Sequence, residues 1–288
     1  MKPIIFGCSG KTLTPAEVVF FKQHQPLGFI IFARNIESPA QVKALVAELK
    51  ATVNHDFVPI LIDQEGGRVA RLKPPHWPEF APCGTFECAL DPLKAAYDSA
   101  FKIATELSAL GINVDCAPML DVRQPNAHDI VGDRAFSQDP KKVAQIGASF
   151  MQGLTDGGVL PIIKHIPGHG RAMADSHLEL PRVNASRAEL EADFYPFKQL
   201  AHAPYAMTAH IVYEAIDATN CATQSKKVID LIRTEIGFKG QIMTDDLSMK
   251  ALTGTFAQRT KASLAAGCDI ILHCNGDMAE MVEIAQAI

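Results

Sequence analysis

Leu160-Pro161-Ile162-Ile163-Lys164-His165-Ile166-Pro167-Gly168-His169-Gly170 is an apolar run that ends in two polar residues and passes into a glycine-rich loop. A short hydrophobic run without polar alternation suits a strand buried on both faces, as in a parallel sheet. Seven further runs have the same character: residues 3–6, 28–32, 58–62, 112–117, 206–209, 241–244 and 269–273. With 160–164 they make eight.

The segments between the runs carry helix-start chemistry. Thr14-Pro15-Ala16-Glu17 reads as a capping box with proline at the first helical position, and Ser38-Pro39-Ala40-Gln41 repeats the device. Asp91-Pro92, Asp139-Pro140 and Ser186-Arg187-Ala188-Glu189 open three more helices. Gly111, Gly237 and Gly267 each stand just before an apolar run, where a helix stops. Helix, glycine, strand is the βα rhythm, and eight units imply closure into a single-domain (β/α)8 barrel spanning residues 1–288. An open doubly wound sheet is the alternative, but no G-x-G-x-x-G follows the first run. Ile288 comes soon after the last run, so the last helix is expected to be short.

Composition narrows the function classes. Hydrophobic residues make up 48% and charged residues 20%, which suits a large core and excludes a disordered chain. The formal net charge is −5, with no long run of one sign, so neither nucleic acid nor an anionic membrane is expected as a partner. No stretch approaches the roughly 20 apolar residues of a membrane span, and residues 1–9 do not read as a signal peptide. Seven scattered cysteines, without C-x-x-C, read as reduced buried thiols and point to a reducing cytoplasm.

A barrel places its chemistry at strand C-termini and the loops that follow. Two long connections, 63–88 and 121–140, are there. Asp63, Glu65, Arg68 and Arg71 follow the third run, Asp121 and Arg134 the fourth, Lys164 to His177 the fifth, His210 the sixth, and Asp245-Asp246 the seventh. Asp245 stands where its strand gives out and can serve as a carboxylate nucleophile at an anomeric carbon. Asp246 is expected to cap a helix beginning at Leu247. Glycines on both sides of His169 imply a backbone that other residues resist. Asp175 and His177, two apart, can act together, the carboxylate fixing the imidazole as a proton donor. Lys164, Arg71 and Arg134 can bond sugar hydroxyls or acyl oxygens, or neutralise Asp63 and Asp245. Asp63 can accept from two adjacent hydroxyls. A rival reading makes His165, His169, Asp175 and His177 a zinc site, although their spacing fits no standard pattern and Lys164 would repel a cation.

Six motifs together resemble glycoside hydrolase family 3. They are Gly28-Phe29-Ile30-Ile31-Phe32-Ala33-Arg34-Asn35, Asp63-Gln64-Glu65-Gly66-Gly67-Arg68-Val69, Gly132-Asp133-Arg134-Ala135-Phe136, Lys164-His165-Ile166-Pro167-Gly168-His169-Gly170, Asp175-Ser176-His177 and Thr244-Asp245-Asp246-Leu247-Ser248-Met249. They stand in family order across nearly the whole chain and are most similar to the bacterial single-domain β-N-acetylhexosaminidases. The resemblance implies a retaining mechanism with Asp245 as nucleophile and His177 as general acid/base, held by Asp175. It implies that Asp63, Arg71, Arg134, Lys164 and His165 bind the sugar, with no cofactor and no metal. The implied partner is a small carbohydrate, a muropeptide with GlcNAc on an anhydromuramoyl sugar, handled in cytoplasmic cell-wall recycling by a monomer. Phosphate in place of water as acceptor stays open.

Overall fold

Side chains that accept a backbone N–H stand where the sequence places them. Thr14 and Glu17 form a reciprocal box, as do Ser186 and Glu189. Asp91 accepts from Lys94 N, and Asp139 from Lys141 N. Ser38 also caps its helix, but the Gln41 carbonyl accepts from Glu37 N instead of Ser38 N, so only half of that box forms. Gly237 and Gly267 end their helices in left-handed conformations that a Cβ would oppose.

These signals set the order of a computed structural model that describes residues 1–125, 129–172 and 179–288. In chain order come β1 (Lys2–Gly7), α1 (Pro15–His24), β2 (Pro26–Ile31), α2 (Pro39–Lys50), β3 (Ile60–Ile62), α3 (Pro92–Ala109), β4 (Val114–Asp115) and α4 (Pro140–Asp156). They are followed by β5 (Leu160–Ile166), α5 (Arg187–Gln199), β6 (Tyr205–Thr208), α6 (Lys226–Leu231), β7 (Gln241–Asp246), α7 (Phe256–Ala266), β8 (Ile270–His273) and α8 (Met278–Gln286). Each strand runs parallel to its neighbours, and β1 pairs with β8 to close the barrel. The (β/α)8 expectation holds, with all eight strands falling on the eight apolar runs.

The pleat divides each strand between two environments. Ile4, Phe6, Ile60, Ile62, Ile163, Ala206, Ile242 and Ile271 belong to the main core of the chain. Ile5, Leu61, Val114, Ile162, Met243 and Ile270, which alternate with them, form a separate cluster inside the barrel. Fully burying one such side chain contributes about 1.5–3 kcal/mol. Two residues further along come Asp63 after Leu61, Lys164 after Ile162 and Asp245 after Met243. At about 3.3 Å per residue, roughly 7 Å of strand separates the apolar floor from a charged mouth.

Irregularities gather at that mouth. β5 shifts register on β6 between Lys164 and Ile166, and β7 shifts on β8 between Met243 and Asp246. Such bulges re-aim side chains at strand ends. The connection after β3 folds back as a small antiparallel pair, Gln64–Gly66 with Val69–Ala70. One expectation is corrected here: no helix starts at Leu247. Leu247 N donates to Leu272 O, continuing the strand pairing, and the Asp246 carboxylate accepts from Ser248 N, Ser248 Oγ and Cys274 N. The helix begins nine residues later, at Phe256, capped by Thr255. All seven cysteines are free, and all but Cys88 are buried. No helix among the described residues is long and apolar enough to cross a membrane.

Candidate active site

The loop of β3 and the end of β5 meet in one charged cluster. Lys164 Nζ lies 2.9 Å from Asp63 Oδ1 and 2.6 Å from Glu65 Oε1. Arg71 Nη2 donates to the other Asp63 oxygen at 2.9 Å. Arg134, from the connection after β4, grips Glu65 with two bonds of 2.9 and 2.8 Å, the fork geometry that favours arginine over lysine. Burial alone would raise both carboxyls. The lysine and arginines outweigh it, holding Asp63 well below the usual carboxylate range and Glu65 at about 2. Lys164 is pushed the other way: burial opposes its charge, but Asp63 and Glu65 raise it above its ordinary value. Both carboxylates and the lysine are therefore charged at neutrality.

Gln64 sets the loop that carries two of these groups. Its side-chain carbonyl accepts from Arg71 N and Leu72 N, and its amide donates to Leu72 O. Its own N–H donates to Asp115 Oδ1 on β4. Phe32, at the end of β2, lies under the Arg71 guanidinium, 5.1 Å from ring centre to Cζ. Arg68 ties the far side, donating to Ile130 O and lying 3.1 Å from Asp133 Oδ1.

A second cluster centres on Asp121. Its Oδ2 is 2.7 Å from His165 Nδ1, while Oδ1 accepts from the backbone N–H of His165 and of His169. Burial would raise this carboxyl too, but the two histidines keep it below its ordinary value. His169 is driven down to about 4, by burial and then by His165. Gly170 follows because a Cβ there would sit 1.9 Å from the Val122 carbonyl oxygen, and Gly168 has φ +139. The special backbone expected around His169 is thus a close approach on one side and a left-handed residue on the other.

Both clusters face a cavity of about 330 Å³ at the C-terminal mouth. Asp63, Arg71, Arg134, Lys164, His165 and Asp245 line it together, from four strands and the loops that follow them. Ile30, Phe32, Met207, Met249 and Leu272 supply an apolar side. Asp245 Oδ1 accepts from Asp246 N at 2.8 Å. Of the three cations expected to neutralise Asp63 and Asp245, Arg71 and Lys164 meet Asp63, while Arg134 turns to Glu65, which Lys164 also meets and to which the sequence assigns no role. Glu65 is two residues beyond Asp63, and the pleat period was the signal that could have found it. The sequence names Asp121 and His169 but does not pair the one with the other. Their contact depends on the spacing of β4 and β5 across the barrel. Asp175 and His177 lie outside the described residues. Of the four groups weighed as a zinc site, His165 and His169 meet at Asp121; among the described residues no group of three or more His, Cys, Asp or Glu could hold a metal ion.

Asp245 at the end of β7 and the cation-backed Asp63 thus line one cavity at the barrel mouth. The chain belongs to glycosyl hydrolase family 3, whose N terminal domain matches residues 13–288. It is a glycoside hydrolase. The "Beta-hexosaminidase" of Alkalilimnicola ehrlichii is 36% identical over 283 residues, covering 95% of this chain and 80% of that protein. Native NagZ from Neisseria gonorrhoeae superposes with a TM-score of 0.88 at 33% identity, covering 99% of this chain and 88% of the other. A family 3 β-N-acetylglucosaminidase from Paenibacillus sp. superposes at 0.93 with 31% identity, and this chain spans 56% of its length.

Proposed function

We propose that the chain is a retaining exo-β-N-acetylglucosaminidase and that residues 1–288 form its catalytic barrel. The observation that carries this reading is Asp245 facing, across one cavity, an Asp63 charged by Lys164 and Arg71. The relatives are β-hexosaminidases and a β-N-acetylglucosaminidase by name. A cavity of about 330 Å³ is at the lower end of the range for small-molecule sites, roughly 300–1,000 Å³. That is room for one terminal sugar.

In the first step Asp245 attacks the anomeric carbon while His177, held by Asp175, gives its proton to the leaving oxygen. The ring becomes covalently bound to Asp245. In the second step His177 takes a proton from water, the water oxygen attacks the same carbon, and the carboxylate leaves. Two inversions retain the β configuration. Asp63 accepts from two neighbouring sugar hydroxyls, and Lys164, Arg71, Arg134 and His165 complete the polar contacts. The roles of Asp175 and His177 rest on the Asp175-Ser176-His177 motif alone. The substrate is a peptidoglycan fragment bearing GlcNAc, recycled in the cytoplasm.

The test is hydrolysis of p-nitrophenyl β-N-acetylglucosaminide against the β-glucoside, with and without EDTA. Chelator-resistant cleavage confined to the N-acetyl sugar, with retained configuration in the product, is expected. Asp245→Ala should lower kcat on the order of 10⁴-fold. Cleavage lost with EDTA, or an equally fast β-glucoside, overturns the reading.

A further inference from the structure

His210 follows β6 and is fully buried, yet it does not line the cavity. Its ring bridges two elements: Nδ1 is 2.7 Å from Thr223 Oγ1, and Nε2 is 3.0 Å from the Asp246 carbonyl oxygen. A carbonyl oxygen only accepts, so Nε2 carries the hydrogen. Burial lowers the ring's proton affinity, outweighing the fields of Asp245 and Asp246, and keeps it neutral. Nδ1 is then an acceptor, and Thr223 must give it the one hydroxyl proton it has. Thr208 Oγ1, 2.8 Å from Thr223 Oγ1, becomes the donor to Thr223. The chain runs in one direction, from Thr208 through Thr223 and His210 to Asp246. The longer contact of Thr223 with Ala209 O, 3.2 Å, would need the same proton and is secondary.

What this chain holds is the residue after the nucleophile. Every polar group of Asp246 is engaged: its carbonyl by His210 and by Met249 N, its carboxylate by Ser248 and Cys274 N, and its own N–H by Asp245 Oδ1. This is also where β7 slips register on β8. A bulge bends a strand and aims one side chain, and it keeps that aim only if the displaced peptide is fixed. The Asp246 carbonyl and the Asp246 N–H lie in successive peptide planes that share the Asp246 Cα; when His210 no longer holds the carbonyl, that Cα can shift, and the N–H that orients the Asp245 carboxylate shifts with it.

We propose that His210 is a positioning residue for the Asp245 carboxylate, acting through the Asp246 backbone and set in its tautomer by Thr223. The proposal rests on the reading of Asp245 as nucleophile.

The experiment compares His210→Phe, His210→Gln and Thr223→Val with wild type, in the full chain. It measures kcat and KM on p-nitrophenyl β-N-acetylglucosaminide, per active site titrated with a fluorinated glycosyl fluoride that traps the covalent enzyme. His210→Phe should lower kcat and the trapping rate about 10–100-fold, the size expected of a misplacement near 1 Å, with KM within about threefold of wild type. His210→Gln can still donate to the Asp246 carbonyl and should recover part of the loss. Thr223→Val, which removes a hydroxyl bonded to Thr208, His210 and Ala209 O, should show a smaller fall of the same kind. A purely structural role would lower the melting temperature and leave kcat per titrated site unchanged, which overturns the proposal. A loss confined to KM, or Thr223→Val at wild-type kcat, also overturns it and keeps the test open if His210→Phe does not fold. Asp245→Ala measured alongside separates the two failures: residual turnover there sinks the nucleophile reading itself.

Discussion

The floor of the barrel and its mouth are made by the same strands, and they are held together by opposite means. At the floor, Ile5, Leu61, Val114, Ile162, Met243 and Ile270 pack without a charge among them. Two residues up the same strands stand Asp63, Lys164 and Asp245. The floor is stabilised by removing carbon from water. The mouth is held by ion pairs whose desolvation cancels much of their attraction, so its charges are weak grounds for stability. What they secure is geometry: Asp63 and Glu65 are each oriented from two sides before a sugar arrives. The pleat lets one strand serve both ends, because a side chain facing the barrel axis at the floor is followed, two positions on, by one facing the cavity.

If that division is right, breaking the mouth should hurt both stability and activity. Lys164→Met is the strongest case. Lys164 is 2% exposed and pairs with Asp63 and Glu65 at once. Removing it leaves the buried Glu65 and the mostly buried Asp63 one cation short, which costs about 3–5 kcal/mol. It should also lower kcat/KM by about 100-fold through misplacement of Asp63. The pH dependence has a definite sign. Asp63 and Glu65 are depressed in the folded state, so they contribute stability that is present above the ordinary carboxylate range. That stability is lost as pH falls through their folded values, near 2 for Glu65. Without Lys164 both values rise, and the acid unfolding midpoint, followed by circular dichroism, should move to higher pH. An unchanged midpoint would mean that Arg71 and Arg134 suffice.

The fold was legible where the information was local. Eight apolar runs, Thr14 with Glu17, Ser186 with Glu189, and glycines at 237 and 267 each act within a few residues of themselves, so a linear reading finds them. The site was legible only as a set of strand ends. Asp63, Arg71, Arg134, Lys164, His165 and Asp245 do converge on one cavity. Their pairing was not readable, because whether Lys164 meets Asp63, Glu65 or Asp245 depends on register across strands about 100 residues apart in sequence. Asp246 shows the limit most clearly. Its sequence context suits a helix cap, and it does accept the N–H two residues on, but Cys274, just after β8, donates to the same oxygen and the chain makes a turn.

Asp115 tests the boundary between the two regions. It lies on β4 beneath the charged cluster, fully buried, with Oδ1 accepting from Gln64 N and Oδ2 without a hydrogen-bond partner among the described residues. Burial drives its carboxyl well above the ordinary range, which favours the protonated form in the folded state. Asp115→Asn keeps the acceptor for Gln64 and should change stability by less than about 1 kcal/mol at low pH. A raised folded pKa contributes stability that is full below the unfolded carboxylate value and falls as pH rises. The asparagine variant lacks that slope, so denaturant midpoints should favour it increasingly from pH 4 to pH 7. A variant that instead loses ground with rising pH would place Asp115 among the ionised groups of the mouth.

The smallest change is the sharpest test of separation. Ile270→Val removes one methylene from the floor, beside Ile5 and Met243, at a residue that does not line the mouth cavity. Ile-to-Val changes in packed cores cost about 0.5–1.5 kcal/mol, and the void left is too small to hold water. The melting temperature should fall accordingly, while kcat and KM on the N-acetylglucosaminide stay within about twofold of wild type, since uniform loss of stability does not alter the folded site. The same two numbers can break the comparison. A shift in kcat from one methylene at β8 would mean that the register of β7 on β8, which sets the Asp245 bulge, is tuned from the floor upward. Floor and mouth would then be one mechanical unit, and the packing of Ile270 would belong to the chemistry as much as to the core.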